Sequence, residues 1–243
     1  MKILRILSVA AALSFATSVS AETITIANGN DYAPFTDQKL KRGGIASHLV
    51  EEAFKAAGWT SKYKWLPWKR GYDLTKKAEI DAAIPWAHNE ERAPFFLFSD
   101  SIMSMNEQIW ASADSNAKSY SDLEGKKGCL PLGYIQPDYL VSMMKAGTVK
   151  LDTPKDMTTC FKKLQAKRID FIIANSMQAA SIIKKAAIDP NSVKPAITSP
   201  DISEAYVIVS KDHPKGKDII AAFNKGLAAL KASGEYDAIV ASH

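Results

Sequence analysis

Short apolar runs rich in β-branched residues alternate along this chain with amphipathic stretches of helical period. Residues 23–27 are typical of a strand, whereas residues 46–57 place their apolar side chains on one helical face. The same pattern predicts strands at residues 62–66, 80–85, 108–113, 129–132, 150–151, 171–174 and 205–210, and helices at residues 70–78, 137–146, 155–166, 177–187 and 218–233. Such alternation is typical of α/β proteins with open, mainly parallel sheets and helices on both faces.

The alternation restarts after the polar segment at residues 122–128, so the chain contains two α/β runs. Two runs joined by two extended crossings suggest two lobes with a cleft between them. We expect residues 22–112 and 205–243 to form lobe 1 and residues 113–204 to form lobe 2. The crossings near residues 109–111 and 203–206 would act as the hinge, because lobe closure needs a few residues that absorb backbone rotation.

The first 21 residues have the pattern of a cleaved signal peptide. A short basic segment ending at Arg5 precedes an apolar stretch at residues 6–19, and Val19-Ser20-Ala21 has the small residues of a cleavage site. The alternative is a buried N-terminal helix. We expect a mature protein that begins at Glu22 in the periplasm. No cysteine stands at the cleavage point, which argues against a lipid anchor.

Charge and motifs exclude several function classes. Without Lys2 and Arg5, 29 basic residues face 26 acidic ones, too small an excess to indicate nucleic-acid binding. The histidines at positions 48, 88, 213 and 243 lack metal-ligand spacing, and neither a nucleophile elbow nor a phosphate-binding loop occurs. We therefore expect no metal, no cofactor and no catalytic residues.

The segment at residues 79–101 joins a short apolar strand, a polar turn and an aromatic strand start. The turn reads Asn89-Glu90-Glu91-Arg92. This order resembles the extracellular solute-binding proteins of the polar amino acid ABC transporters, which form bacterial solute-binding protein family 3. Four more motifs support the resemblance at family spacing: Asp31-Tyr32-Ala33-Pro34-Phe35, Ser121-Asp122-Leu123-Glu124-Gly125-Lys126, Lys167-Arg168-Ile169-Asp170 and Ala232-Ser233-Gly234-Glu235-Tyr236.

The resemblance implies a type II periplasmic binding protein, with two α/β lobes hinged on two crossing strands. It also implies a monomeric receptor that binds a small molecule and presents it to the membrane permease of an ABC transporter. In that family the arginine of the polar turn grips the ligand's α-carboxylate, which here points to Arg92. The alternative is that Arg92 pairs with Glu90, Glu91 or Asp100 and only holds the loop.

Further ligand-binding candidates follow from the same resemblance and from the residues themselves. Tyr32 occupies the family's position for a ring over the ligand, and Trp68 occupies that of a hydrophobic wall. Trp86 and Tyr134 add flat apolar surface, and Arg70 adds a second positive group. The alternatives are that the aromatic residues only pack in the protein and that Arg70 forms a surface ion pair.

Asn175 departs from the family pattern. It stands where amino-acid binders place the acidic residue that receives the ligand's α-ammonium, and an amide supplies no compensating charge for a buried cation. With Arg92 and the aromatic residues, this departure suggests a carboxylate with an aromatic, heterocyclic or cyclic body. A quaternary amine held by cation–π contacts would suit the aromatic residues equally.

The two cysteines, Cys129 and Cys160, lie on a predicted strand and a following helix of lobe 2. In an oxidising compartment an even pair is more often bridged than free, so we expect one disulfide.

Three function classes remain open from the sequence. The first is a transport receptor, the second a dehydratase-like periplasmic enzyme on the same scaffold, and the third a ligand-sensing subunit of a signalling system. An enzyme would need a general acid or base in the cleft, and the sequence analysis places neither Glu nor Asp there. We therefore predict a receptor rather than an enzyme.

Overall fold

The computed structural model describes residues 22–134 and 136–243. Helices and strands alternate in the order β1 Thr23–Asn28, α1 Ile45–Ala56, β2 Thr60–Trp65, α2 Trp68–Lys76, β3 Ala82–Trp86, β4 Phe96–Phe98, β5 Met103–Ser112, β6 Lys127–Cys129, α3 Asp138–Lys145, β7 Lys150–Asp152, α4 Met157–Gln165, β8 Phe171–Asn175, α5 Ser176–Lys185, β9 Val193–Ser210, α6 Gly216–Ser233 and α7 Glu235–Ala241. The predicted α/β class is confirmed. No helix of this described part of the chain has both the length and the apolar content needed to cross a membrane.

The strands follow the spatial order β2-β1-β3-β9-β5-β8-β6-β7, and β4 pairs separately with β9. Strand β1 is parallel to β2 and β3, and β6 is parallel to β7 and β8. Among the described strands, every antiparallel pair includes β5 or β9. The sheet is therefore mixed: the βα units supply parallel pairs, and the two long strands run against them. This is the two-lobed arrangement of a type II periplasmic binding protein.

Two large hydrophobic cores, the first and the second, correspond to the two lobes, and a smaller third cluster that includes Ala83, Phe96 and Ile208 lies on the first lobe's sheet. In the first, α1 and α6 pack on β1 through residues such as Leu49 and Phe223; in the second, α4 packs on β8 through Phe161 and Phe171. Strand β5 contributes Met105 to the first core and Ile109 to the second, so the chain crosses between lobes along this strand. The division at residues 112/113 and 204/205 stays a prediction.

Both crossing strands extend further than predicted. Strand β5 begins at Met103 and β9 at Val193, and they pair with each other from Met103 opposite Ala205 to Ser112 opposite Val193. Proline interrupts a strand pattern because it cannot donate a hydrogen bond to the ladder. Because of Pro195, the sequence did not predict the early part of β9. The register shifts between Ile109 and Trp110, next to the Trp110–Pro195 pair, which accommodates the missing donor.

A disulfide joins the end of β6 to α4, as predicted. Cys129 and Cys160 are both fully buried in the second core, and their Cα atoms are 5.6 Å apart. The bond ties the edge of the second sheet to the helix that covers it.

Candidate functional site

A cavity of about 1000 Å³ lies between the lobes, where β5 and β9 cross. The first lobe contributes Trp86 and Arg92, the second contributes Tyr134, and β5 contributes Glu107. Ligand sites in α/β folds lie at such crevices beyond the carboxyl ends of strands, and this size suits a small ligand with some water. The cavity is therefore the candidate binding site.

Arg92 is held in the cavity wall by the polar turn after β3. Its backbone N–H donates to Oδ1 of Asn89 over 2.9 Å, and its Nη1 donates to the carbonyl oxygen of Ala87 over 2.8 Å. The guanidinium lies 4.7 Å from the centre of the Trp86 ring, and the residue is only 9% exposed. The turn thus presents a fixed, buried cation with N–H donors left over for an anion.

The cation of Arg92 forms no ion pair within the described residues; in particular, Glu90, Glu91 and Asp100 lie outside ion-pair distance. Burial lowers the pKa of Arg92, while the charges of Tyr72 and Glu91 oppose that shift weakly. Arginine stays protonated in proteins. A buried cation without an ionic partner is unfavourable, and an anionic ligand would relieve that cost.

A row of aromatic rings crosses the cavity from one lobe to the other. The ring of Trp68 lies edge-on to Trp86 at 5.9 Å and to Tyr32 at 6.2 Å, and Tyr32 meets Tyr134 of the second lobe at 5.8 Å. The indole N–H of Trp68 donates to the carbonyl oxygen of Asn30 over 3.1 Å. The four aromatic residues singled out in the sequence therefore form one surface that can take a flat apolar body.

Two of these rings carry hydroxyl groups held at the cavity. The Tyr134 hydroxyl accepts a hydrogen bond from Nε2 of Gln178 over 3.0 Å, and the Tyr32 hydroxyl lies 3.6 Å from the sulfur of Met105. Burial raises the pKa of both phenols, with the nearby charge of Glu107 contributing. Both hydroxyls therefore remain neutral hydrogen-bonding groups at ordinary pH.

Two predicted site residues, Arg70 and Asn175, do not line the cavity. Arg70 is exposed on the first turn of α2. Asn175 is 3% exposed and caps α5: its Oδ1 accepts from the backbone N–H of Gln178 over 2.9 Å, and its Nδ2 lies 3.6 Å from the sulfur of Met105. The Asn175 amide also lies close enough to the Tyr32 hydroxyl to oppose the rise in the pKa of that phenol, so protein groups surround both of its ends.

The structure adds an acidic residue that the sequence analysis missed. Glu107 lies on β5, directly opposite Asn175 in the ladder with β8, and lines the cavity. The expectation that no Glu or Asp reaches the cleft is thus wrong. The missed signal is a period of two: Met105 and Ile109 are buried on one face of β5, and Glu107 stands between them on that face.

The carboxylate of Glu107 makes no hydrogen bond or ion pair within residues 22–134 and 136–243. Burial raises its pKa from the usual 4.5 to about 7. Its charge in turn contributes to the raised pKa of three phenols around it, those of Tyr32, Tyr134 and Tyr139. The cavity therefore contains a second desolvated ionisable group, of opposite sign to Arg92.

The raised pKa of Glu107 predicts a pH dependence of stability. The folded state holds this proton more tightly than the unfolded state, so the contribution is complete below pH 4.5 and is lost as the pH rises through about 7. Between pH 4 and 8 without ligand, we expect the free energy of unfolding of the wild type to fall relative to Glu107→Gln by on the order of 2–3 kcal/mol, after allowance for partial exposure. Urea denaturation of both proteins measures this; a difference that does not change with pH would contradict it.

Sequence comparisons relate the chain as a whole to known proteins. The model of the bacterial extracellular solute-binding proteins, family 3, matches residues 24–243. A probable histidine-binding protein of Campylobacter jejuni is 27% identical over 225 residues, covering 90% of this chain and 83% of that protein. A putative amino-acid ABC transporter-binding protein of Vibrio harveyi is 25% identical over 233 residues, covering 95% and 92%.

Among solved structures, a histidine kinase sensor domain with similarity to periplasmic binding proteins superposes with a TM-score of 0.80. It is 22% identical, and the match covers 91% of this chain and 96% of that chain. At this identity the likeness concerns the fold alone.

Proposed function

Because the chain belongs to the bacterial extracellular solute-binding proteins, family 3, we propose that it closes its lobes on an amino acid or a related small carboxylate and delivers it to an ABC transporter permease. The buried guanidinium of Arg92, which faces the cavity without an ionic partner, carries this proposal. A carboxylate can take two parallel charge-assisted hydrogen bonds from such a fork.

The aromatic row narrows the proposed ligand. Tyr32, Trp68, Trp86 and Tyr134 offer flat surface beside Arg92, which suits a carboxylate with an aromatic or heterocyclic body. Histidine combines a carboxylate with a heterocycle, and the name of the Campylobacter jejuni relative points to the same amino acid. L-Histidine and the aromatic amino acids are therefore the first ligands to test.

A thermal-shift screen tests the proposal. The set should contain the amino acids, aromatic carboxylates, quaternary amines and sugars, because a ligand that binds only the folded state must raise the melting temperature. At 100 times its Kd, a ligand adds about 2.7 kcal/mol of stability. We expect amino acids or carboxylates to give the largest shifts. Shifts confined to quaternary amines would show that the site recognises cations through cation–π contacts rather than anions. Shifts confined to sugars would overturn the proposal.

We also propose that the protein acts in the periplasm as a monomer, after export. The predicted signal peptide, residues 1–21, lies outside the described residues. Protein isolated from the periplasm should begin at Glu22, and intact-mass analysis measures this directly. A retained N-terminus or a lipid adduct in the mass would contradict the proposed export route.

Glu107 gives the enzyme alternative one specific observation in its favour. A carboxyl group with a pKa of about 7 in a cleft is suited to general acid–base catalysis. Incubating the protein with each ligand from the screen and analysing the recovered compound separates the two functions. We expect the ligand to be recovered unchanged, whereas a steady formation of product would show an enzyme on this scaffold.

A further inference from the structure

We propose that Glu107 supplies the negative charge that holds the ammonium group of the ligand, in place of residue 175, so that the site selects zwitterionic α-amino acids over simple carboxylates. This inference rests on the proposed function, since it assigns a second contact in the same cavity. In the sequence, Asn175 had suggested a ligand without an ammonium group, because an amide cannot neutralise a buried cation.

The sheet register places Glu107 next to the position it would replace. Glu107 on β5 and Asn175 on β8 are direct partners in an antiparallel ladder. Side chains of directly opposed residues have Cβ atoms about 4.5–5.5 Å apart. The carboxylate of Glu107 therefore starts from the neighbouring strand beside position 175, and it lines the cavity whereas the Asn175 amide does not.

The amide of Asn175 is already committed elsewhere. Its oxygen caps α5 by accepting the Gln178 N–H, and its nitrogen faces the Met105 sulfur. The carboxylate of Glu107, by contrast, has no hydrogen-bond or ionic partner within the described residues and lines the cavity. Of these two neighbours, only Glu107 is free to receive a ligand.

The charges around Glu107 favour a cation as its partner. Nearby phenols approach it from three elements: Tyr32 from the loop after β1, Tyr134 from the loop after β6, and Tyr139 from α3. A phenol is neutral or, when deprotonated, negative, so these hydroxyls cannot balance the charge of the Glu107 carboxylate. Arg92 lines the same cavity but forms no ion pair with Glu107.

The cavity is therefore lined by one desolvated cation and one desolvated carboxyl group that do not neutralise each other. An α-amino acid brings the complementary pair, with its carboxylate for Arg92 and its ammonium for Glu107. A carboxylate that lacks the ammonium leaves the Glu107 charge without a partner, or keeps it protonated. A site built to pair a polar group discriminates strongly against an analogue that lacks it.

Two matched ligands test this assignment: L-histidine and 3-(imidazol-4-yl)propanoate, which lacks only the α-ammonium. The same pairing applies to any other amino acid that gives a shift in the screen. Affinities are measured by calorimetry for the wild type and for Glu107→Gln. We expect the wild type to prefer the amino acid by at least a hundredfold, and Glu107→Gln to lose at least thirtyfold in amino-acid affinity while its affinity for the deaminated acid stays within threefold.

Two further variants show whether the effect belongs to the carboxylate at position 107. Glu124→Gln removes an equal charge at an exposed position outside the cavity and should bind as the wild type does. Asn175→Asp in the Glu107→Gln background puts the carboxylate on a side chain that caps α5 and does not line the cavity, so it should restore less than threefold of the lost amino-acid affinity. Aspartate also caps helices, so α5 stays intact.

The outcomes separate this inference from the function on which it rests. Equal amino-acid affinity in the wild type and in folded Glu107→Gln, checked by circular dichroism, overturns the role of Glu107 and leaves the receptor intact. Equal wild-type affinity for the amino acid and its deaminated analogue would also overturn the role of Glu107 and leave the receptor function intact. Absence of binding for every amino acid and carboxylate overturns the proposed function, and this inference with it.

Discussion

Replacing Arg92 by alanine should weaken ligand binding at least thirtyfold. The change leaves the ligand's carboxylate desolvated without a partner, which costs about 2–5 kcal/mol of binding free energy, and 1.4 kcal/mol corresponds to a tenfold change in affinity. Arg92→Lys should recover little of this loss, because a single ammonium cannot reproduce two parallel hydrogen bonds in the guanidinium plane. Calorimetry with the amino acid that gives the largest thermal shift measures the effect.

Arg70 offers a matched control for this experiment. It is also an arginine of the first lobe, but it is exposed and lies outside the cavity. Arg70→Ala should therefore bind the ligand with wild-type affinity. Undiminished affinity in a folded Arg92→Ala protein would show that the carboxylate binds elsewhere or that the ligand carries no anion.

Replacing both Cys129 and Cys160 by alanine should lower the free energy of unfolding by about 3–4 kcal/mol in the chain-entropy account. The bridge closes a loop with a sequence separation of 31, so its removal gives the unfolded chain more freedom. Both residues are fully buried, and alanine avoids leaving serine hydroxyls without partners there. Urea denaturation of the purified variant measures the loss.

Reduction of the wild type gives an independent control, because it breaks the bond without changing the sequence. Reduced wild type and the double variant should unfold at similar urea concentrations, both below the oxidised protein. Two free thiols in denatured, unreduced wild type, or a loss below about 1 kcal/mol in the double variant, would contradict this prediction.

Local pattern was enough to predict most of the fold. Periodicity located the helices that pack on each sheet, since an amphipathic face needs only its own residues to be recognised. The crossing strands were harder, because their pairing joins residues far apart in the chain, such as Met103 and Ala205. The last predicted helix, residues 218–233, ends where α6 ends; Gly234 follows in the left-handed conformation, and an unpredicted helix, α7, begins directly after it.

The candidate site was predictable where a motif determines the direction of the side chain. Arg92 lies on a turn whose own hydrogen bonds aim it, and the aromatic residues follow strand ends that open into the cleft. Asn175 has the expected place in the chain, but its amide oxygen caps α5 and its side chain does not line the cavity. Glu107 was missed because β5 was predicted to begin at residue 108. Residue 107 was therefore not assigned to the face of the strand that lines the cavity.

The connectivity of the two cores also governs the order in which the protein can fold. In the described chain, the buried residues of the second core all lie between Ile109 and Val193, whereas the first core unites Ile24 with Phe223 and Ile239. Multidomain chains generally fold their N-terminal domain first as synthesis proceeds. Here the core of the first lobe cannot form until α6 has been synthesised. All buried residues of the second lobe's core are therefore available before the first lobe has the helix that completes its core.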